Sequence, residues 1–335
     1  MKMMNLGKSD IRVSRICFGA FGIGGGTAWG ECDDATSIET IHMAIDNGIN
    51  YIDTAPVYGL GHSEEVLSKA LKGKRDKVIL QTKCTLNWRE ESDHLEYTRN
   101  GKSVYRDLSA KAIKQDLEDC LQRLKTDYLD ILVTHRQSRG STPVSETMGA
   151  MLELKKEGKI KGIGISNASP SILREYLKYG PVELVQEEYN LLNEHALAEY
   201  VSCCAENGVT LQSFSCLGRG ILTGTVKLDT TYPDGDVRKN FNWFRPNNRG
   251  HILDVLKEWE PICEKYGCSM ASLVLAWTFN NVPGINILCG MRRPSSLLDT
   301  LTIDTFDWDV NDFITMNKDI EVLHDKLTLD LDANK

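Results

Sequence analysis

Asp53, Tyr58, Lys83 and His135 each stand at or just past the carboxyl end of a short apolar run, and together they supply the polar groups that protonating a carbonyl oxygen requires. The runs are Ile49-Asn50-Tyr51-Ile52 before Asp53, Val78-Ile79-Leu80 before Lys83, and Leu129-Asp130-Ile131-Leu132-Val133 before His135. A fourth, Ile163-Gly164-Ile165, precedes Ser166-Asn167. A tyrosine hydroxyl has a reference pKa near ~10 and needs a nearby cation to exchange its proton readily at neutral pH. Lys83 can supply that charge, and Asp53 can hold Lys83 through an ion pair. His135 can donate a second hydrogen bond to the developing oxyanion, which lowers the barrier in a water-excluded pocket. Tyr58 becomes the general acid. Each residue alone has a plainer reading: a structural Asp–Lys pair, a tyrosine packed after Pro56, a satisfied core histidine. Their shared placement at strand ends favours chemistry.

That placement requires parallel β/α units, in which carboxyl strand ends face the site and amino ends serve stability. Strands are expected at Arg15 to Phe18 and near 49–53, 77–83, 128–135, 160–166, 183–187, 209–214 and 285–289. Helical spacing of apolar residues, as in Leu117, Leu121 and Leu124, marks helices near 34–48, 63–72, 109–124, 145–158, 170–178, 194–207 and 251–281, the last broken at Gly267. Gly48, Gly158 and Gly208 fall at their C-terminal caps. Eight strand–helix repeats make the closed (β/α)8 TIM barrel, read as a single domain over residues 1–335. Residues 3–15 read as a hairpin closing its bottom. Two long connections, 84–108 and 215–250, exceed what compact domains keep unless they bind something. The second, with Phe241, Trp243, Phe244, Arg238, Arg245 and Arg249, is the candidate cover for cofactor and substrate.

Composition agrees. The chain has 335 residues, 41% hydrophobic and 26% charged, which suits a globular protein with ample core. A net charge of -8 argues against a nucleic-acid surface. No stretch approaches a membrane span and the first residues lack the apolar core of a signal peptide, so a cytoplasmic location is expected. The ten cysteines read as reduced thiols. No Cys-x-x-Cys occurs, Cys263 and Cys268 are spaced wrongly for a zinc ribbon, and no metal site is expected. Cys84 and Cys216 follow strand ends and read as packing rather than redox groups.

Residues 48–71, GINYIDTAPVYGLGHSEEVLSKAL, resemble the signature of the aldo-keto reductase superfamily. The segments Gln81-Thr82-Lys83, 155–167 (KKEGKIKGIGISN) and 218–224 (GRGILTG) extend the resemblance over nearly the whole chain. It implies that Asp53, Tyr58, Lys83 and His135 form a catalytic tetrad, and that the hydride comes from a nicotinamide cofactor bound without a Rossmann fold. The cluster Gly19, Gly22, Gly24, Gly25 and Gly26 contains no Gly-x-Gly-x-x-Gly and reads as a tight loop beside the pocket.

By the same resemblance Ser166, Asn167 and Gln186 hold the carboxamide, and Phe214, where relatives usually carry tyrosine, stacks on the nicotinamide ring. Leu217, Arg219 and Gly220 contact the pyrophosphate. The segment Gly290-Met291-Arg292-Arg293-Pro294-Ser295-Ser296 corresponds to the adenosine 2'-phosphate site. Two arginines there favour NADPH, because a guanidinium forms paired, charge-assisted bonds to such a dianion. Gly290, Arg292, Arg293 and Ser296 are its candidate contacts.

The expected partner is a small carbonyl compound, with Phe21, Trp29, Trp88 and Arg136 as candidate substrate contacts; a homo-oligomer is left open. Where many relatives follow the histidine with an aromatic residue and proline, this chain has Arg136-Gln137-Ser138, and Ser296 and Thr300 replace residues that often meet adenine. Arg136 either favours an anionic or polyhydroxylated substrate or pairs with an acid on the barrel rim. Two other functions remain: a cofactor-binding regulatory protein resembling potassium-channel β subunits, and a Schiff-base enzyme using Lys83. Asp53 counts against the second, since it raises the lysine pKa that such chemistry must lower.

Overall fold

A computed structural model describes residues 1–327 other than 93, 100, 141, 195 and 196, and leaves the side chains of 304 and 305 aside. Strands are numbered in chain order. A hairpin of β1 (Met3–Asn5) and β2 (Arg12–Ser14) is followed by β3 (Ile16–Gly19), β4 (Tyr51–Asp53) and β5 (Ile79–Cys84). After β6 (Leu86–Asn87), β7 (Leu95–Arg99) and β8 (Lys102–Arg106) come β9 (Leu129–Thr134), β10 (Ile160–Ser166), β11 (Leu184–Glu188), β12 (Thr210–Phe214) and β13 (Asn286–Gly290). Strands β3, β4, β5, β9, β10, β11, β12 and β13 close a parallel barrel in that order. The fold is the expected (β/α)8 barrel with an N-terminal hairpin.

The helices form where the apolar spacing placed them. Ala110–Leu124 begins at Ser109, whose side chain accepts from the Ala112 N–H, and buries Ile113, Leu117, Cys120, Leu121 and Leu124 against the barrel. Lys125 ends it in the left-handed conformation at φ 53°. Leu6 and Val13 of the hairpin pack with Cys17, Tyr51, Ile131, Val133 and Leu184 inside the barrel. The hairpin therefore plugs the end opposite the site.

Three expectations change in detail. The connection after β5 is not structureless: β6, β8 and β7 make an antiparallel sheet of their own. The helical stretch at 251–281 begins earlier and divides into Pro246–Glu258, Glu260–Tyr266 and Met270–Asn281, with Gly267 at the expected break. Pro246 starts it because proline suits the first helical turn, where no N–H is needed. Beyond the barrel, Val310–Lys326 forms a further helix that the sequence reading left out. Among the described residues no helix is long and apolar enough to cross a membrane.

Candidate active site

The strand register brings the four candidate chemical residues to one end of the barrel. Asp53 ends β4 and Lys83 lies in β5, while His135 follows β9. All three point from strand ends that face the same mouth, as parallel closure requires. Lys83 Nζ donates to Asp53 Oδ1 and Oδ2 at 2.6 and 2.7 Å, to the Thr54 carbonyl at 2.9 Å and to the Tyr58 hydroxyl at 3.0 Å. Asp53 and Lys83 are both buried. The Tyr58 and His135 rings meet edge to face, with centroids 5.9 Å apart.

Tyr58 is held by its neighbours in the loop. Gly24, in the turn Phe21–Gly24, crosses the Tyr58-Gly59 backbone so closely that a Cβ there would lie 2.6 Å from the Tyr58 carbonyl carbon. A Cβ at Gly59, where φ is +65°, would run into the Gly24 carbonyl. Two glycines thus let two backbones touch and fix the tyrosine between them. Phe21 braces its ring at a centroid distance of 5.0 Å.

The electrostatics differ from a simple cation-lowered tyrosine. Burial raises the Tyr58 pKa, Lys83 pulls it down and Asp53 pushes it up, and the net shift is upward. Tyr58 is therefore fully protonated at neutral pH, the state a proton donor needs. Burial acts to lower the Lys83 pKa, but Asp53 and Tyr58 outweigh it and hold the ammonium charged. For His135, burial and then the charges of Lys83, Arg136 and Arg106 push the pKa well below the ordinary value, so the ring is neutral. Its buried Nδ1 has no protein partner.

Beneath Asp53 lies a polar layer that sequence reasoning missed. Gln81 and Gln186 donate to Asp53 Oδ1 at 2.7 and 3.1 Å. Both also donate to Gln212 Oε1, at 3.0 and 2.7 Å, and Gln212 donates to Asn286 Oδ1 at 2.8 Å. Register sets Asp53 beside Gln81, Gln186 beside Gln212 and Gln212 beside Asn286 on neighbouring strands, and closure of the barrel brings the two groups together across its interior. Tyr51 closes the layer by donating to Gln81 Oε1. Side chains two apart on a strand share a face, so Gln81 and Tyr51 could have been found as the inward neighbours of Lys83 and Asp53.

The other candidate residues ring this mouth. The Ser166 hydroxyl donates to the Gln186 carbonyl at 2.9 Å, and Asn167, in the left-handed region at φ 52°, donates to the His135 carbonyl at 2.9 Å. Phe214 ends β12. Leu217, Arg219 and Gly220 lie in the tight turn that follows, with φ of 58° at Arg219 and 97° at Gly220. The Arg219 guanidinium grips both oxygens of Glu188 and stacks 3.6 Å over the Phe241 ring. Trp29 packs against Phe21 at 5.3 Å, and the Arg238 guanidinium lies 4.7 Å over Trp29. The connection 215–250 therefore reaches across to the loop after β3, and the Val237 N–H donates to the Ala28 carbonyl at 3.2 Å.

Arg292 donates to the carbonyls of Trp29 and Glu31 at 3.2 and 3.4 Å. Arg293 is exposed and stands immediately before the helix Pro294–Leu301, which contains Ser296; Gly290 ends β13. Trp88 packs against the cluster of Ala55, Val57, Leu86 and Val104, which Tyr58 also joins. Arg136 pairs with Glu96 at 3.4 Å. The Cys84 thiol is buried with its pKa pushed well up by that burial, and Cys216 is pushed up to about 12, mainly by burial. Both are protonated packing groups. Among the described residues no cluster of three or more His, Cys, Asp or Glu side chains could hold a metal ion.

Comparison with known proteins identifies the family. Residues 15–318 match the profile described as Aldo/keto reductase family. The chain is 39% identical over 305 residues to the Escherichia coli protein named NADH-specific methylglyoxal reductase, covering 90% of this chain and 93% of that one. It is 35% identical over 301 residues to aldo-keto reductase YhdN of Bacillus subtilis, covering 89% and 87%. Among solved structures, glycerol dehydrogenase AKR11B4 from Gluconobacter oxydans superimposes with a TM-score of 0.83 at 31% identity, covering 97% of this chain and 96% of that one.

Proposed function

Because the chain belongs to the aldo/keto reductase family, an oxidoreductase family that uses a nicotinamide cofactor, we propose that it reduces an aldehyde or ketone to an alcohol with Tyr58 as the general acid. The observation that carries this reading is the contact of Lys83 with both Asp53 and the Tyr58 hydroxyl. When bound, the reduced nicotinamide supplies the hydride. The Tyr58 hydroxyl gives its proton to the carbonyl oxygen, and the Lys83 ammonium, 3.0 Å away, stabilises the tyrosinate left behind. Asp53 keeps that ammonium in place and charged. Neutral His135 donates a hydrogen bond to the same oxygen, and its other ring nitrogen is the buried Nδ1 that lacks a protein partner.

The residues present fit a nicotinamide dinucleotide. Left-handed backbone at Ser215, Gly218, Arg219 and Gly220 folds a tight cradle, and a Cβ on Gly220 would meet nothing within 4 Å. Ser166, Asn167 and Gln186 would hold the carboxamide and Phe214 the ring. Leu217, Arg219 and Gly220 would lie along the pyrophosphate, with the Arg219 fork already engaged by Glu188.

The cofactor preference we propose is NADPH, with Arg293 as its main determinant and Gly290, Arg292 and Ser296 around it. Arg293 is exposed, whereas Arg292 holds the Trp29 loop. One relative is named NADH-specific, so the preference needs its own test. The ratio of kcat/KM for NADPH over NADH is expected to exceed one and to fall roughly tenfold in Arg293→Ala, the loss of one charge-assisted contact. A wild-type ratio below one assigns the chain to NADH. A cofactor that survives gel filtration without turnover would instead favour the regulatory reading.

A further inference from the structure

The excursion after β5 builds a cationic pocket on the rim of the barrel mouth. Arg106, at the end of β8 and 8% exposed, donates through Nε and Nη2 to Glu96 Oε2 at 2.9 and 2.5 Å, and through Nη1 to the Gln137 carbonyl at 2.8 Å. Arg136 reaches the other oxygen of the same carboxylate at 3.4 Å. Two guanidinium groups thus share one acid. Arg139 lies beside them, exposed and without an ion-pair partner among the described residues. Burial, more than Arg139 and Arg136, lowers the Arg106 pKa despite its bonds to Glu96.

Arg106 and Arg139 border a cavity of about 90 Å³, walled also by Ser92, His94, Ser138 and Thr142. Asp107 is at its edge, but one of its oxygens accepts the Ser109 N–H at 2.8 Å. At roughly 30 Å³ for a water, the space holds about three, enough for a carboxylate or phosphate group. Its wall is tied to the active site by the chain itself. Ser138 follows His135 by three residues, a span of at most roughly 11 Å. Guanidinium forks and hydroxyl donors around surplus positive charge are the chemistry that binds oxyanions.

We propose that Arg106 and Arg139 at this cavity, with Arg136 behind them on Glu96, form a subsite for the anionic end of the substrate, so that the preferred carbonyl compounds carry a carboxylate or phosphate away from the reacting carbonyl. This rests on the reductase reading. Arg136 and Glu96 position the pocket, and Arg139 supplies the free charge that recognises the ligand. The hairpin β7–β8 exists, on this account, to deliver Glu96 and Arg106 to the rim.

The test uses the full-length chain saturated with reduced cofactor, and three substrates of equal carbon count: a neutral hydroxyaldehyde, its phosphate ester and the corresponding aldehyde acid. The ratio of kcat/KM, anionic over neutral, is expected to exceed one in the wild type and to fall about tenfold in Arg139→Gln, mainly through KM. Inorganic phosphate should compete with the anionic substrate. Whichever of ester and acid is preferred identifies the group. A ratio unchanged by Arg139→Gln, or phosphate that binds without competing, overturns the proposal while leaving the reductase reading intact. Should no substrate turn over, the reductase reading fails, and calorimetric titration with inorganic phosphate decides the subsite. Saturable binding weakened by Arg139→Gln supports it, and no binding overturns it.

Discussion

The Lys83 ammonium sits astride the Asp53 carboxylate, 2.6 and 2.7 Å from its two oxygens, with both side chains buried. Removing one partner from such a pair leaves a buried charge uncompensated, which costs about 3–5 kcal/mol. Lys83→Met is therefore expected to lose stability on that scale. Asp53→Asn keeps an acceptor for Gln81 but leaves the Lys83 ammonium uncompensated in its turn, so it should cost a similar amount while also slowing turnover. Denaturant midpoints of the two variants check both losses. Equal midpoints for wild type and Lys83→Met would mean that the pair carries no stabilising charge coupling.

The pH profile of reduction follows from Tyr58 and His135. Tyr58 is shifted up, chiefly by burial, so its protonated acid form persists as pH rises past the ordinary tyrosine value of 10. His135 is shifted down, chiefly by burial, so it stays neutral until pH falls below the ordinary histidine value of 6.5. At saturating cofactor, kcat for reduction should be flat between those two values. Arg136 is one of the cations that depress His135, so Arg136→Ala should move the acidic limb to higher pH. An inflection between 6.5 and 10 in the wild type would show that another group controls the proton.

Gly59→Ala is expected to damage both fold and chemistry. The added Cβ meets the Gly24 carbonyl at a backbone angle of φ +65° that L residues rarely adopt. Overpacking of this kind costs roughly 1–3 kcal/mol. The displaced Tyr58 should lower kcat, by up to about 10²-fold for a shift near ~1 Å. Thermal melts and single-turnover rates measure the two effects. Wild-type turnover in a variant with a lowered Tm would show that Tyr58 tolerates movement of its loop.

Much of this was legible in the sequence for a physical reason. Strands that end in Asp53, Lys83 and His135 read clearly because apolar runs followed by polar residues have one natural place in a parallel barrel. What stayed hidden depends on contacts between distant segments. Gln81, Gln186, Gln212 and Asn286 form their layer only because register sets β11, β12 and β13 side by side and barrel closure brings β4 and β5 across the interior to face them. Gly24 and Gly59 are turn glycines until the two loops cross. The hairpin β7–β8 alternates weakly and faces solvent on one side, with the pattern exposed, half-buried, half-buried, exposed, half-buried over Leu95–Arg99, so no apolar signal separated it from a loop. Arg136 could not be assigned without Glu96, which lies forty residues before it in the chain.

The most direct measurement follows NADPH and NADH oxidation against a panel of aldehydes, ketones and sugars, with wild type beside Tyr58→Phe at matched cofactor saturation. The account predicts turnover in the wild type, and in Tyr58→Phe a kcat lower by about 10²–10⁴-fold, the usual contribution of a general acid, with cofactor affinity retained. Turnover that survives in Tyr58→Phe would contradict it, because the proton would then come from another group.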